Sequence, residues 1–117
     1  MNPITRIESN QRLSRAVIHN GTVYLAGMTA GDTSEDIAGQ TRQVLAKIDA
    51  MLAQAGTDKS RLLSAQIWLK NIQTDFKGMN SVWDAWTAPG CAPARATVEA
   101  ALASAAILVE IAVTAAL

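Results

Sequence analysis

Between Ile37 and Ala55 the residues Ile37, Thr41, Val44, Leu45, Ile48, Met51, Leu52 and Ala55 recur at the three-and-four spacing that lines one face of an α-helix. Gly56 follows as a C-terminal cap. Upstream, Thr33 with Asp36 three residues later matches a capping box. From Leu62 to Lys70 the pattern switches: Leu63, Ala65, Ile67 and Leu69 alternate with Ser64, Gln66, Trp68 and Lys70, as in a strand with two distinct faces. A one-sided helix leading into a two-faced strand restricts the chain to architectures that lay helix on sheet.

The remaining segments extend that plan. Arg15 to Ile18 and Thr22 to Thr29 are rich in β-branched and aromatic residues, and His19-Asn20-Gly21 between them carries the Asn-Gly pair of tight hairpin turns. The polar opening, Met1 to Arg12, leaves room for a short edge strand around Ile4 to Ile7. A second helix is expected over Thr74 to Trp86, with Phe76, Met79, Trp83 and Trp86 as its apolar stripe, stopped by Pro89-Gly90. Two further strands, Ala94 to Leu102 and Ile107 to Ala116, are expected to pair as a hairpin across the link Ala103 to Ala106. The order β-β-α-β-α-β-β predicts a single α+β domain over residues 1–117, a mixed sheet with two helices on one face.

Composition excludes several classes. Ten Lys plus Arg balance ten Asp plus Glu, and no basic run offers a path for a phosphate backbone, so no nucleic-acid partner is expected. Met1 to Asn10 has no apolar core behind a basic region, and Ser104, Glu110 and Thr114 interrupt the apolar tail, so neither a targeting segment nor a membrane span is expected. The single cysteine, Cys91, forms no internal disulfide, which points to a cytoplasmic protein. One His and one Cys make a zinc site very improbable, and Cys91 reads as a spectator thiol with no histidine in sequence context to activate it. His19, in a turn, is expected to face solvent.

Two charges stand out against apolar surroundings: Arg95 in Ala94-Arg95-Ala96-Thr97-Val98, and Glu110 in Val109-Glu110-Ile111. An ionised group among Ala, Val and Ile needs a partner or a ligand, because burying it unpaired costs several kcal/mol, roughly. Arg offers a planar fork that matches a carboxylate and cannot lose its proton, so it anchors without reacting. A Glu in an apolar cleft can exchange a proton with water and with a leaving amine. An intersubunit salt bridge is the alternative use of the pair. If the helices cover the face bearing Val23, Leu25, Leu63, Ile67, Val109 and Ile111, the opposite face, with Tyr24, Ala26, Gln66, Trp68, Thr97, Ala101, Ala112, Thr114 and Ala116, is too apolar for water. Further copies of the chain are expected to cover it. Strand parity predicts that Arg95, Thr97 and Glu110 share that second face, near a subunit boundary, and that Trp68 packs there against a neighbour.

Pro93-Ala94-Arg95, Val98-Glu99 and the fifteen-residue interval to Glu110 in Val109-Glu110-Ile111 resemble the RidA family, also called YjgF or L-PSP, from about Arg15 to Leu117. The helix Met79-Asn80-Ser81-Val82-Trp83-Asp84-Ala85-Trp86 resembles that of its small YoaB-like branch. The resemblance implies a chorismate-mutase-like fold, a homotrimer and ligand sites in clefts between subunits. It implies hydrolysis of small enamine or imine carboxylates such as 2-aminoacrylate to a 2-keto acid and ammonia, without metal or cofactor. Arg95 would then bind the substrate carboxylate and Glu110 would hold or activate water, with Thr97, Ala26 and Leu13 lining the substrate site. The chain departs from RidA at those last three, where RidA has Cys, Ser and Tyr. That departure keeps open a non-catalytic trimeric binder of small keto or carboxylic acids. The ribonuclease activity attached to the name L-PSP is a third reading, disfavoured by the zero net charge.

Overall fold

The computed structural model describes residues 2–117; Met1, the first residue of the polar opening, lies outside them. Six strands, β1 (Thr5–Ser9), β2 (Ser14–His19), β3 (Thr22–Leu25), β4 (Leu62–Leu69), β5 (Ala94–Glu99) and β6 (Val109–Ala116), form one sheet in the order β1-β2-β3-β6-β4-β5. Helices α1 (Ile37–Ala55) and α2 (Ile72–Trp86) lie on one face. The expected edge strand in the polar opening is therefore present. The β2–β3 turn is the predicted hairpin: Asn20 and Gly21 both take positive φ, 51° and 77°, and His19 pairs with Thr22.

Helix α1 ends where its periodicity ends, at Gly56, whose φ of 95° is the left-handed cap. Its start differs from expectation. Asp36, not Thr33, is the N-cap, its Oδ1 accepting from the Gly39 amide at 2.9 Å. The stripe Val44, Leu45, Ile48 and Leu52 is fully buried against β6, β2 and β3. Truncating one such residue to Ala costs about 2–5 kcal/mol. Helix α2 starts two residues earlier than predicted. Its first amide, that of Ile72, donates to Glu99 Oε1 at 3.0 Å, so the last residue of β5 holds the start of α2. Met79 and Trp83 are buried as expected, whereas Phe76 is exposed.

The expected hairpin between the last two strands does not form. β5 runs parallel to β4, with Ala65 opposite Arg95 and Ile67 opposite Thr97, and β6 is antiparallel on the other side of β4. β4, α2 and β5 thus make a β-α-β crossover, the connection that parallel neighbours require. β5 stops at Glu99, and the link to β6 passes the end of β4: Ala100 N–H donates to Leu69 O, and Lys70 N–H to Leu108 O, each at 3.0 Å. Gln40, fully buried on α1, fastens that link. Its Nε2 donates to the carbonyls of Thr33, Glu35 and Ala106, and its Oε1 accepts from the Leu108 amide at 3.0 Å. An apolar substitute would leave the Leu108 amide without its partner.

The core face carries Val23, Leu25, Ala65, Ile67, Val109 and Ile111, close to expectation. Leu63 is the exception. A register shift between Leu62 and Ser64 turns Leu62 into the core and leaves Leu63 exposed. The other face is open, with Tyr24 and Val98 nearly half exposed around a shallow depression of about 480 Å³ lined by Tyr24, Ser64, Gln66, Ala94, Ala96 and Thr114. Among the described residues no helix is long and apolar enough to cross a membrane.

Candidate functional site

Arg95 and Glu110 are not neighbours within the chain. Arg95 is in register with Ala65 and Thr97 with Ile67, both core residues, so these two side chains leave the sheet on the helix side. Glu110 is in register with Trp68, on the open side. The predicted sharing of one face by Arg95, Thr97 and Glu110 is therefore incorrect. With β4 between their strands and three residues of register offset, their backbones are roughly 10 Å apart across the sheet and roughly 10 Å along it. Parity fixes the face only within a strand; β5 entered beside β4 in a phase that its own sequence did not specify.

Arg95 is held by α2. Its Nη1 donates to Asn80 Oδ1 at 2.7 Å, and its Cζ lies 5.3 Å from the Trp83 ring centroid. Asn80 and Trp83 share this contact because they are three residues apart on one helix face. Thr97, two residues along the strand, points the same way, and its Oγ1 is buried with no hydrogen-bond partner among the described residues. A buried hydroxyl without a partner is costly.

The Glu110 group is built differently. A Cβ added to Gly27 would lie 2.1 Å from Glu110 Oε2 and 3.2 Å from its Cγ, so the carboxylate lies directly across the Gly27 backbone. Ala26 precedes it, its amide donating to Arg15 O at 2.9 Å, which extends the β2–β3 ladder by one rung. Leu13 ends the turn before β2 and is exposed, its amide bonded to Asn10 Oδ1 at 3.0 Å. Trp68, opposite Glu110 on β4, is half-buried on the open face. Asn80, Trp83 and Gly27 were not read as site residues from sequence. The Asn80–Arg95 spacing spans a crossover, and only the fold brings the two together.

His19 is half-buried rather than solvent-facing, with Nδ1 3.1 Å from Pro3 O. Cys91 is half-buried in the loop after α2.

Residues 3–117 match the family model described as Endoribonuclease L-PSP. This chain belongs to the RidA/YjgF/L-PSP family. It is 48% identical over 114 residues to a RutC family protein of Haemophilus ducreyi, with 97% of each chain covered. It is 43% identical over 113 residues to the RutC family protein YoaB of Escherichia coli, again with 97% of each covered. A member of the YjgF protein family from Neisseria meningitidis superposes with a TM-score of 0.94 at 46% identity, covering 97% of this chain and 94% of the other. The Arg95 and Glu110 groups thus stand on opposite faces of the sheet.

Proposed function

We propose that the protein hydrolyses small reactive enamine or imine carboxylates to a 2-keto acid and ammonia, at sites formed where the Arg95 half of one subunit meets the Glu110 half of the next in a homotrimer. The observation that carries this reading is the placement of an anion-binding group and a carboxylate on opposite faces, each incomplete alone. Arg95 binds the substrate carboxylate with guanidinium edges left free by Asn80, and the Thr97 hydroxyl donates to the ligand or to water. Glu110 holds water against the C=N carbon. Addition forms the C–O bond, and the water proton passes to the carboxylate. Glu110 then returns that proton to nitrogen, which gives the carbinolamine; a second transfer through the same carboxyl group moves the hydroxyl proton to nitrogen, the C–N bond breaks as the C=O bond forms, and ammonia leaves the 2-keto acid. An enamine substrate first tautomerises to the imine, its β-carbon gaining a proton as its nitrogen gives one up.

A second reading is supported by a specific feature: Ala26, next in sequence to the Gly27 that Glu110 lies against, brings no hydroxyl near the carboxylate. A trimeric binder of small keto or carboxylic acids uses the Arg95 half and needs no turnover. RNA cleavage has less support, because net charge is zero and the one histidine sits beside Pro3 O. A coupled assay separates the first two. A pyridoxal-phosphate lyase generates 2-aminoacrylate, and keto-acid release is followed with and without the protein. Acceleration that disappears in Arg95→Ala and in Glu110→Gln is expected. No acceleration, with pyruvate still raising the Tm of wild type but not of Arg95→Ala, assigns the binder.

A further inference from the structure

Trp83 is 5% exposed, yet Arg95, whose guanidinium carbon lies over its ring, is exposed. Behind it the indole is backed by Trp86, centroids 5.4 Å apart at 47°, and Trp86 is itself fixed by Nε1 donating to Asp49 Oδ2 at 2.9 Å and by Lys59 5.1 Å from its centroid. An aromatic face anchored from α1 through α2 thus meets the side chain of a strand. Arginine is long and rotamer-rich, and a floppy guanidinium loses freedom on capturing an anion. Here that freedom is already restricted. The indole restrains motion perpendicular to the ring, and Asn80 Oδ1 occupies Nη1. Of the guanidinium's paired donor edges, the one that remains whole is Nε with Nη2.

We propose that Trp83 is a positioning residue for Arg95: its indole sets the plane of the guanidinium so that the Nε–Nη2 edge takes the substrate carboxylate side-on, in two parallel hydrogen bonds. This rests on the reading of Arg95 as a carboxylate anchor. Tryptophan is the aromatic that holds a cation most strongly, and a tyrosine keeps part of the effect while leucine keeps only the volume. The stacking acts before ligand arrives, so it shows in the free protein as well as in the affinity.

Two readouts test it. In ¹H–¹⁵N spectra of the ligand-free protein, the Arg95 Nε–H signal, assigned by its loss in Arg95→Lys, is expected upfield of the free-arginine position through the indole ring current. It returns to that position in Trp83→Leu and lies between in Trp83→Tyr. In calorimetric titration with pyruvate, Trp83→Leu is expected to bind roughly three- to tenfold more weakly than wild type, with Trp83→Tyr recovering most of the loss. Should Trp83→Leu fail to fold, Trp83→Tyr and Trp83→Phe carry both comparisons. An Arg95 signal unmoved by removing the indole overturns the proposal. So does a wild-type affinity in Trp83→Leu when Arg95→Ala has lost binding, and in that case the anchor reading stands. If wild type and Arg95→Ala both take up no pyruvate, the anchor reading falls and the proposal falls with it.

Discussion

The two charged groups of this chain are held by opposite means. Arg95 is fixed by contacts: a hydrogen bond to Asn80, an indole against its face, and a helix whose first amide is bound by Glu99 of the same strand. Glu110 is fixed by space: it lies where Gly27 has no side chain, on a strand whose approach is tied down by Gln40. An anion anchor gains from rigidity, because ordering it beforehand lowers the cost of capture. Glu110 instead depends on the missing side chain of Gly27, whose place its carboxylate takes. The two groups also stand on opposite faces of the sheet, so the proposed site draws them from two subunits.

The sharpest way to break this comparison is subunit complementation. Arg95→Ala and Glu110→Gln are each expected to lose turnover by about 10²-fold or more. Co-refolded in equal amounts, they should regain roughly a quarter of wild-type activity, because that fraction of sites draws an intact Arg95 from one subunit and an intact Glu110 from another. A mixture as inactive as its components would place both groups in one subunit's site. The anchoring of the Glu110 strand is tested by Gln40→Leu, expected to lower stability by about 2–4 kcal/mol, read as a lower urea midpoint. An unchanged midpoint would detach Gln40 from the account. Gly27→Ala should leave folding and pyruvate affinity near wild type while kcat falls by roughly tenfold, as the new methyl displaces the carboxylate. A drop in affinity alone would mean that Gly27 serves the anion instead. The smallest effect is expected from Thr97→Val. It removes a buried hydroxyl that has no partner among the described residues, so Tm should stay level or rise slightly, while pyruvate binding weakens by roughly threefold if the hydroxyl meets the ligand. A lower Tm with unchanged binding would make Thr97 purely structural.

Much of the molecule was legible beforehand because its signals are local. The α1 stripe, the Gly56 cap, the Asn20-Gly21 turn and the alternation along β4 and β6 are set by neighbours within a few residues, and the structure shows each of them. Local signals also misled. Thr33 has the right spacing for a cap, but Asp36 is the residue placed against Gly39 N–H. Leu63 follows the alternation of its strand, but the register shift beside it turns it outward. Arg95 and Glu110 were recognisable as a pair by their chemistry and spacing, whereas Asn80, Trp83 and Gly27 were not, since each matters through a residue far away in the chain.

The sequence alone determined the elements, most of their boundaries and which residues alternate within each strand, because a period of two or of 3.6 is a property of adjacent residues. It also singled out Arg95 and Glu110 as charges set in apolar stretches, because that contrast is a property of neighbouring residues. Only the tertiary structure decided that β5 lies beside β4 and β6 between β3 and β4, and with that the faces on which Arg95 and Glu110 stand. Strand phase is fixed by hydrogen bonding to a neighbour that is distant in the chain, and a shift of one residue exchanges the two faces.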